Sequence, residues 1–143
     1  MLRFGIAALA FILAGALAVP AQAQGRMMLA TPGGVRLELE VVTRPKDRFR
    51  GLSGRESLPP GRGMAFVYRR PDHRCMVMRD MRFGLDIIWL RGGVVLGVSL
   101  RIPPPGPGDK PRESCSPQPV DMVIEVPAGW AAEHDIKAGS RLD

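Results

Sequence analysis

The sequence predicts a mainly β domain, a compact β-sandwich or partly closed barrel with one or two short helices. Residues 35–41 alternate apolar and polar side chains, which is the period of a strand with one buried face. Short β-branched and aliphatic runs recur along the rest of the chain between Gly, Pro and Asp residues. Several short strands at this spacing are typical of sandwiches and barrels. The expected strands are residues 35–41, 64–68, 75–79, 85–90, 94–100 and 120–126.

A short helix is expected directly after the first strand. Thr43 occupies the position of an N-cap, and residues 44–52 can form about two helical turns that direct Phe49 and Leu52 inward. A second short helix is expected at residues 129–134, after the last strand.

Glycine and proline mark two connections between these elements. Gly92 and Gly93 stand between two apolar runs and predict a tight hairpin, because a type I′ turn needs positive φ at both central residues. Residues 102–119 contain seven prolines, which rule out a central strand and favour an extended polyproline conformation. A loop of this length in a small domain is mobile, functional or tied to the rest of the fold.

The first 23 residues predict an export signal. A short positive end is followed by the apolar residues 4–19, and Ala21-Gln22-Ala23 fits a small-x-small cleavage site. The apolar run is shorter than the roughly 18 to 20 residues of a membrane-spanning helix. We therefore expect residues 1–23 to be a signal peptide, 24–34 an N-terminal linker and 35–143 a single mainly β domain. The expected location is periplasmic or secreted with no transmembrane segment after cleavage, and a retained N-terminal anchor is the alternative.

Charge and composition limit the classes of partner. The formal net charge is +6 and falls by one when Arg3 leaves with the signal, so the domain should favour an anionic small molecule, a lipid head group or an acidic polysaccharide. The arginines are scattered, and one Tyr and five Phe give no stacking platform, so no nucleic acid partner is expected. No cofactor is expected either, since a domain of this size can bury a sufficient core without one.

The only two cysteines, Cys75 and Cys115, predict a disulfide between a strand and the proline-rich segment. The closed loop spans 40 residues (115 minus 75). In the chain-entropy model such a loop stabilises the fold by about 4 kcal/mol.

A copper site is the alternative use of the same stretch. Three thioethers, those of Met76, Met78 and Met81, lie near a thiol and the imidazole of His73, and soft ligands of this kind select Cu(I). Strand geometry argues against this site, because Met76 and Met78 share one face while Met81 points to the other. Methionines in such strands usually fill the core, and zinc-type CxxC or HxxxH spacing is missing.

Asp86 interrupts an otherwise apolar strand. Both faces of residues 85–90 are apolar, so the strand should be covered on both sides and its carboxyl group needs a partner. The candidate partners are Arg50, Arg55 and Arg79. Two interpretations remain open: a buried ion pair that fixes strand register, or a small polar pocket in which the arginines hold an anionic ligand.

Five segments together resemble a known family. They are Arg50-Gly51-Leu52, Gly63-Met64-Ala65-Phe66, Met78-Arg79, Leu85-Asp86-Ile87 and Glu125 in the strand Val123-Ile124-Glu125. Over nearly all of residues 35–142 the chain resembles the bacterial and archaeal family called domain of unknown function 192. The resemblance implies a compact, mainly β domain with short helices and no settled activity. Val77 stands where that family has a tryptophan, and Gly84 where it has a proline.

No established catalytic signature is present in the sequence. It lacks HExxH, a nucleophile elbow, a Walker loop and a dinucleotide fingerprint, so no catalytic residue is assigned. The predicted function is a non-enzymatic binding or accessory domain of the cell envelope for an anionic ligand. The alternatives are an enzyme that uses the Asp86, Arg50 and Arg79 cluster, and a periplasmic Cu(I)-binding protein.

Overall fold

A computed structural model describes residues 25–143, and the predicted signal peptide, residues 1–23, lies outside the described residues. Strands dominate the described chain and only two short helices accompany them, so the predicted mainly β fold class is confirmed. Neither helix is long and apolar enough to cross a membrane. The elements are β1 Gly25–Ala30, β2 Arg36–Val42, α1 Pro45–Arg50, β3 Arg62–Asp72, β4 Cys75–Val77, β5 Leu85–Arg91, β6 Val94–Ile102, β7 Glu113–Cys115, β8 Val120–Pro127 and α2 Trp130–Glu133.

Six strands form one mixed sheet in the order β1-β2-β3-β8-β5-β6, and β4 pairs with β7 in a separate two-stranded sheet. Of the strand pairs within residues 25–143, only β2–β3 is parallel, and α1 lies in the connection between these two strands. The predicted hairpin between β5 and β6 is confirmed, because Gly92 and Gly93 have φ angles of 56° and 79°. Both values lie in the region that a type I′ turn requires.

Two strands lie where the sequence predicted none. β1 occupies much of the expected linker, residues 24–34, and pairs antiparallel with β2 while Met27 and Leu29 pack against the core. β7 lies inside the proline-rich segment, where residues 113–115 contain no proline and pair with β4. The linker prediction was therefore wrong, because these residues form a paired strand whose apolar side is partly buried. The proline-rich segment is tied to the fold by β7.

The six-stranded sheet lies between two apolar layers. On one face Ile88 and Leu90 of β5 join a cluster that includes Trp130 of α2. On the other face Ile87 and Trp89 join a second cluster that lies beneath α1 and β4. This arrangement confirms the prediction that β5 is covered on both sides.

Within residues 25–143 the strands form no closed barrel, although the C-terminal residues bond to both ends of the large sheet. The Ala30 amide of β1 donates to the Asp143 carbonyl at 2.7 Å, and the Leu142 amide donates to the Gly93 carbonyl, beside β6, at 3.0 Å. The chain end therefore connects the two edge strands.

The first helix differs from its prediction in a way that shapes the surface. It ends at Arg50, and Gly51 has a φ of 48°, which turns the chain out of the helical path. Leu52 is buried as predicted, whereas Phe49 is 73% exposed, so its predicted inward direction was wrong. A helix continued to Leu52 would have placed both side chains on one face, since residues three apart are neighbours. The N-cap is Arg44 instead of Thr43.

Candidate ligand-binding cleft

A cleft opens on the face of the large sheet that carries α1 and β4. It consists of two adjoining cavities of about 610 and 310 Å³, which share five lining residues. The shared residues are Phe49, Arg50, Ser53, Arg79 and Met81. We call this feature the α1–β4 cleft, and its smaller part, which reaches the buried Phe66 and Glu125, the inner cavity. Its size is that of a small-molecule site.

The wall of the inner cavity is mainly apolar. Side chains from α1, from the turn after it, from β3 and from β4 contribute to this wall. They include Pro45, Leu52, Phe66, Tyr68, Met76 and Val77. A ligand in this cavity would therefore bury an apolar or aromatic body.

Arginines stand around the apolar wall. Arg48 and Arg50 extend from α1, and Arg79 follows β4. The Arg79 guanidinium lies over the ring of the exposed Phe49, 4.4 Å from its centroid, which is a cation–π contact. Arg48 donates hydrogen bonds to the backbone carbonyls of Thr43 and Val67. These contacts fix guanidinium groups along one side of the cleft.

Two guanidinium groups contact the ring of Tyr68, which lines the inner cavity. The Arg48 and Arg74 carbons lie 4.6 and 4.1 Å from its ring centroid. Burial raises the pKa of Tyr68, and the two arginines oppose this rise. Its hydroxyl therefore stays protonated near pH 7 and remains a hydrogen-bond donor.

Glu125 is the acid of the inner cavity. It lies on β8 between Met64 of β3 and Ile87 of β5, and only 6% of its surface is exposed. Within the described residues, no side chain or backbone group forms a hydrogen bond or ion pair with its carboxyl group. Burial raises the pKa of Glu125 to about 8. The carboxyl group is thus mostly neutral at pH 7, and it faces a cavity that several arginines also line.

Asp86 lies on the opposite face of the sheet and does not join the cleft. One carboxyl oxygen accepts the Arg101 amide at 2.7 Å, and the other accepts the amides of Gly129 and Ala131 at 3.0 and 2.9 Å. Asp86 therefore fastens β6 and the start of α2 to β5. The prediction of an arginine partner was wrong, because three backbone N–H groups satisfy this buried acid instead.

Arg55 is also separate from the cleft. Its guanidinium donates to both carboxyl oxygens of Glu40, at 2.6 and 2.8 Å, and this hydrogen bonding holds the pKa of Glu40 below its usual value. Of the four predicted pocket residues, the structure brings together only Arg50 and Arg79. Sequence reasoning matched Glu125 to the family pattern but did not place it in the site. The available signal was a single acid within the apolar run 122–126.

The sulfur-containing residues form a covalent link and part of the core. The predicted disulfide between Cys75 and Cys115 is present, and it joins residues that face each other on β4 and β7. Met78 and Met81 are buried in the core beneath α1, and Met76 packs against it. These positions favour the packing role of the methionines over a copper site.

Comparison with known proteins gives a family for this chain. Residues 28–143 match the model of DUF192, a family described as uncharacterized ACR. The chain belongs to the DUF192 family. No curated protein matches it.

Two solved structures have a similar fold. One is a Sinorhizobium meliloti 1021 protein that is described as a candidate transcription regulator. It is 26% identical to this chain with a TM-score of 0.73, and the alignment covers 82% of this chain and 91% of the other. A protein of unknown function from Novosphingobium aromaticivorans DSM 12444 is 22% identical with a TM-score of 0.72, covering 90% of this chain and 99% of its own. The second likeness concerns the fold alone.

Val77 and Gly84, the two departures from the DUF192 pattern, lie at the inner cavity and near the end of β8. Val77, where a tryptophan was expected, lines the inner cavity, so a smaller side chain borders that cavity. Gly84, where a proline was expected, lies close to the end of β8, and a Cβ there would be 3.2 Å from the Ala128 Cβ. The first departure bears on the ligand site and the second on backbone packing.

Proposed function

We propose that this DUF192 protein is an exported, non-enzymatic binding domain of the cell envelope that takes an anionic ligand in the α1–β4 cleft. The observation that carries the proposal is the charge of the cleft lining. Four arginines line it, namely Arg48, Arg50, Arg79 and Arg82. The acids among its lining residues are Asp80 and Glu125, and Glu125 is mostly neutral at pH 7. A cleft with this balance concentrates anions.

The ligand class follows from the two kinds of lining. Guanidinium groups bind carboxylate, sulfonate or phosphate oxygens through charge-assisted hydrogen bonds. The apolar wall and the exposed Phe49 ring suit a hydrocarbon or aromatic body. We therefore assign an organic anion of small-molecule size to this cleft.

Two features support the cellular location in this proposal. The first residues carry the pattern of an export signal. The disulfide between Cys75 and Cys115 suits an oxidising compartment, since disulfides form and persist outside the cytosol.

Binding of simple aromatic probes tests the proposal. Isothermal titration calorimetry on the exported protein should show that benzenesulfonate binds. Benzamide, an uncharged aromatic compound of similar size, should bind at least about tenfold more weakly, because a hydrogen bond to a charged group contributes roughly 1.5 to 3 kcal/mol. Arg79→Gln should lower the benzenesulfonate affinity by a similar factor.

Arg91→Gln is the matched control, because Arg91 is an exposed arginine at the end of β5 that does not line the cleft. Its affinity should equal that of the wild type. Equal affinities for benzenesulfonate and benzamide, or equal losses in the two arginine variants, would contradict an anion site in the cleft.

Glu125 favours a second candidate function, acid–base catalysis on a ligand in the same cleft. A buried acid with a raised pKa in a cleft is a common property of general acids. The two functions separate in a turnover assay on a panel of organic phosphate and carboxylate esters. Turnover that disappears in Glu125→Gln while binding persists would favour the enzyme.

A further inference from the structure

Glu125 has surroundings that differ from those of every other acid in the described chain. The strands on either side of it, β3 and β5, place apolar side chains next to it, and cationic and phenolic groups line the cavity that it faces. The charged and titratable groups that line the inner cavity with it are Arg48 and Arg50 of α1, Tyr68 of β3 and Arg79 after β4. From β5 it meets only apolar side chains, since Ile87 is its register partner. Its carboxyl group is thus enclosed, faces a cavity and forms no hydrogen bond or ion pair within the described residues.

The protonation state of this carboxyl group decides how an anion is received. A protonated carboxyl group donates one hydrogen bond and carries no charge, so it adds a donor to those of the arginines. An ionised carboxyl group offers only acceptors and repels an anion in the same cavity, and the low polarity of the walls strengthens that repulsion.

We propose that Glu125 is the proton switch of the α1–β4 cleft: its protonated form donates a hydrogen bond to the anionic group of an organic anion held by Arg50 and Arg79, and its ionisation releases that ligand. This inference rests on the proposed anion-binding function. It adds Glu125 as a residue that determines specificity for the anion. It also gives the direction of regulation: the ligand is retained at neutral or acidic pH and released at alkaline pH.

The other groups of the cavity do not account for such a switch. A guanidinium group is not deprotonated in proteins, so an arginine cannot act as such a switch. Burial raises the pKa of Tyr68, so its hydroxyl stays protonated there as well. Neither His73 nor His134 lines the cleft. Burial raises the pKa of Glu125 to about 8, which places its loss of a proton near neutrality.

A probe of fixed charge isolates the protein's own titration. Benzenesulfonate stays anionic from about pH 6 to about pH 9.5, whereas Glu125 passes from mostly protonated to mostly ionised over this range. The affinity of the wild-type protein should fall at least about tenfold between these limits. By reciprocity, saturating benzenesulfonate should raise the pKa of Glu125 by about one unit or more, which carbon-13 NMR of the glutamate carboxyl groups measures directly.

Glu125→Gln keeps the shape of the side chain but cannot ionise, so the ratio of affinities between the two pH limits should fall to about one. Glu133→Gln, at an exposed position of α2, is the matched control and should keep the wild-type ratio. Circular dichroism confirms that each variant is folded. If Glu125→Gln does not fold, the NMR titration of the wild-type protein, free and bound, decides the question alone.

The outcomes are distinct. Benzenesulfonate binding with the same affinity at both limits, an unchanged ratio in Glu125→Gln, or a Glu125 pKa that the ligand does not move would overturn the switch and leave the anion site standing. Tighter binding at the alkaline limit would overturn it too. A protein that binds neither benzenesulfonate nor other organic anions at about pH 6 would overturn the proposed function itself.

Discussion

Replacement of Asp86 by Asn should lower the free energy of unfolding by about 2 to 6 kcal/mol. Asp86 is fully buried, and its two carboxyl oxygens accept three backbone N–H groups. An asparagine that keeps its oxygen toward Gly129 and Ala131 turns its NH₂ group toward the Arg101 amide. Two donors, the part-buried Arg101 N–H and the new amide, then lack acceptors, and each unsatisfied donor costs about 1 to 3 kcal/mol. This loss is a large part of the free energy of unfolding of a typical domain, which is roughly 5 to 15 kcal/mol.

Urea denaturation followed by tryptophan fluorescence measures this change, because Trp89 and Trp130 are both buried and lie on the two faces of the sheet. Asp135→Asn is the control, since that carboxyl group is exposed and asparagine tolerates the same positive φ of 52°. The control should stay within about 0.5 kcal/mol of the wild type. A loss below about 1 kcal/mol in Asp86→Asn with an unchanged m-value would refute the account of its hydrogen bonds. Lost benzenesulfonate binding with unchanged stability would refute its separation from the cleft.

Two further predictions concern stability. Replacing Cys75 and Cys115 by serine should lower the free energy of unfolding by about 4 kcal/mol, because the disulfide joins residues that are 40 positions apart. Reduction of the wild-type protein with dithiothreitol should give the same loss in urea denaturation. A loss below about 1 kcal/mol would contradict this estimate of the disulfide's contribution. For Glu125, the raised folded pKa means that the folded state holds the proton more tightly than the unfolded state. Its contribution to stability is present below about pH 4.5 and is lost as the pH rises through about 8, with a slope of at most about 1.4 kcal/mol per pH unit. Urea denaturation between about pH 5.5 and 7.5 should show this decline in the wild type, and Glu125→Gln should flatten it; parallel slopes would contradict the assignment.

Local pattern predicted most of the strands because each has a side that must be buried. The alternation in β2, the two apolar faces of β5 and the Gly92-Gly93 turn are all properties of a few consecutive residues. β1 was missed because only the burial of Met27 and Leu29 distinguishes it from a linker, and that burial depends on a partner strand. β7 was missed for a similar reason, since prolines surround its three residues.

The site was less predictable than the fold because its residues come from separate segments. Arg50 and Arg79 line the same cleft because the segment after β4 lies near α1, where Arg79 contacts Phe49, and no spacing along the chain encodes that arrangement. Burial of Asp86 was predictable from its apolar neighbours. Its partners were not, because three backbone N–H groups from distant residues supply them.

Asp86 and Glu125 both lie in apolar strands but have different roles, because their side chains point to opposite faces of the sheet. β5 and β8 pair so that Ile87 faces Glu125 and Asp86 faces Val126, and successive side chains point to opposite sides of a sheet. Asp86 therefore points toward α2, where backbone N–H groups satisfy it completely. Glu125 points toward the cleft, where nothing in the described chain satisfies it and burial keeps it protonated near neutral pH. An acid with three donors holds the fold together, whereas an acid with none, facing a cavity, is available to a ligand. A buried acid that lacks a hydrogen-bond partner and faces a cavity therefore indicates a ligand site, and in this protein that acid is Glu125.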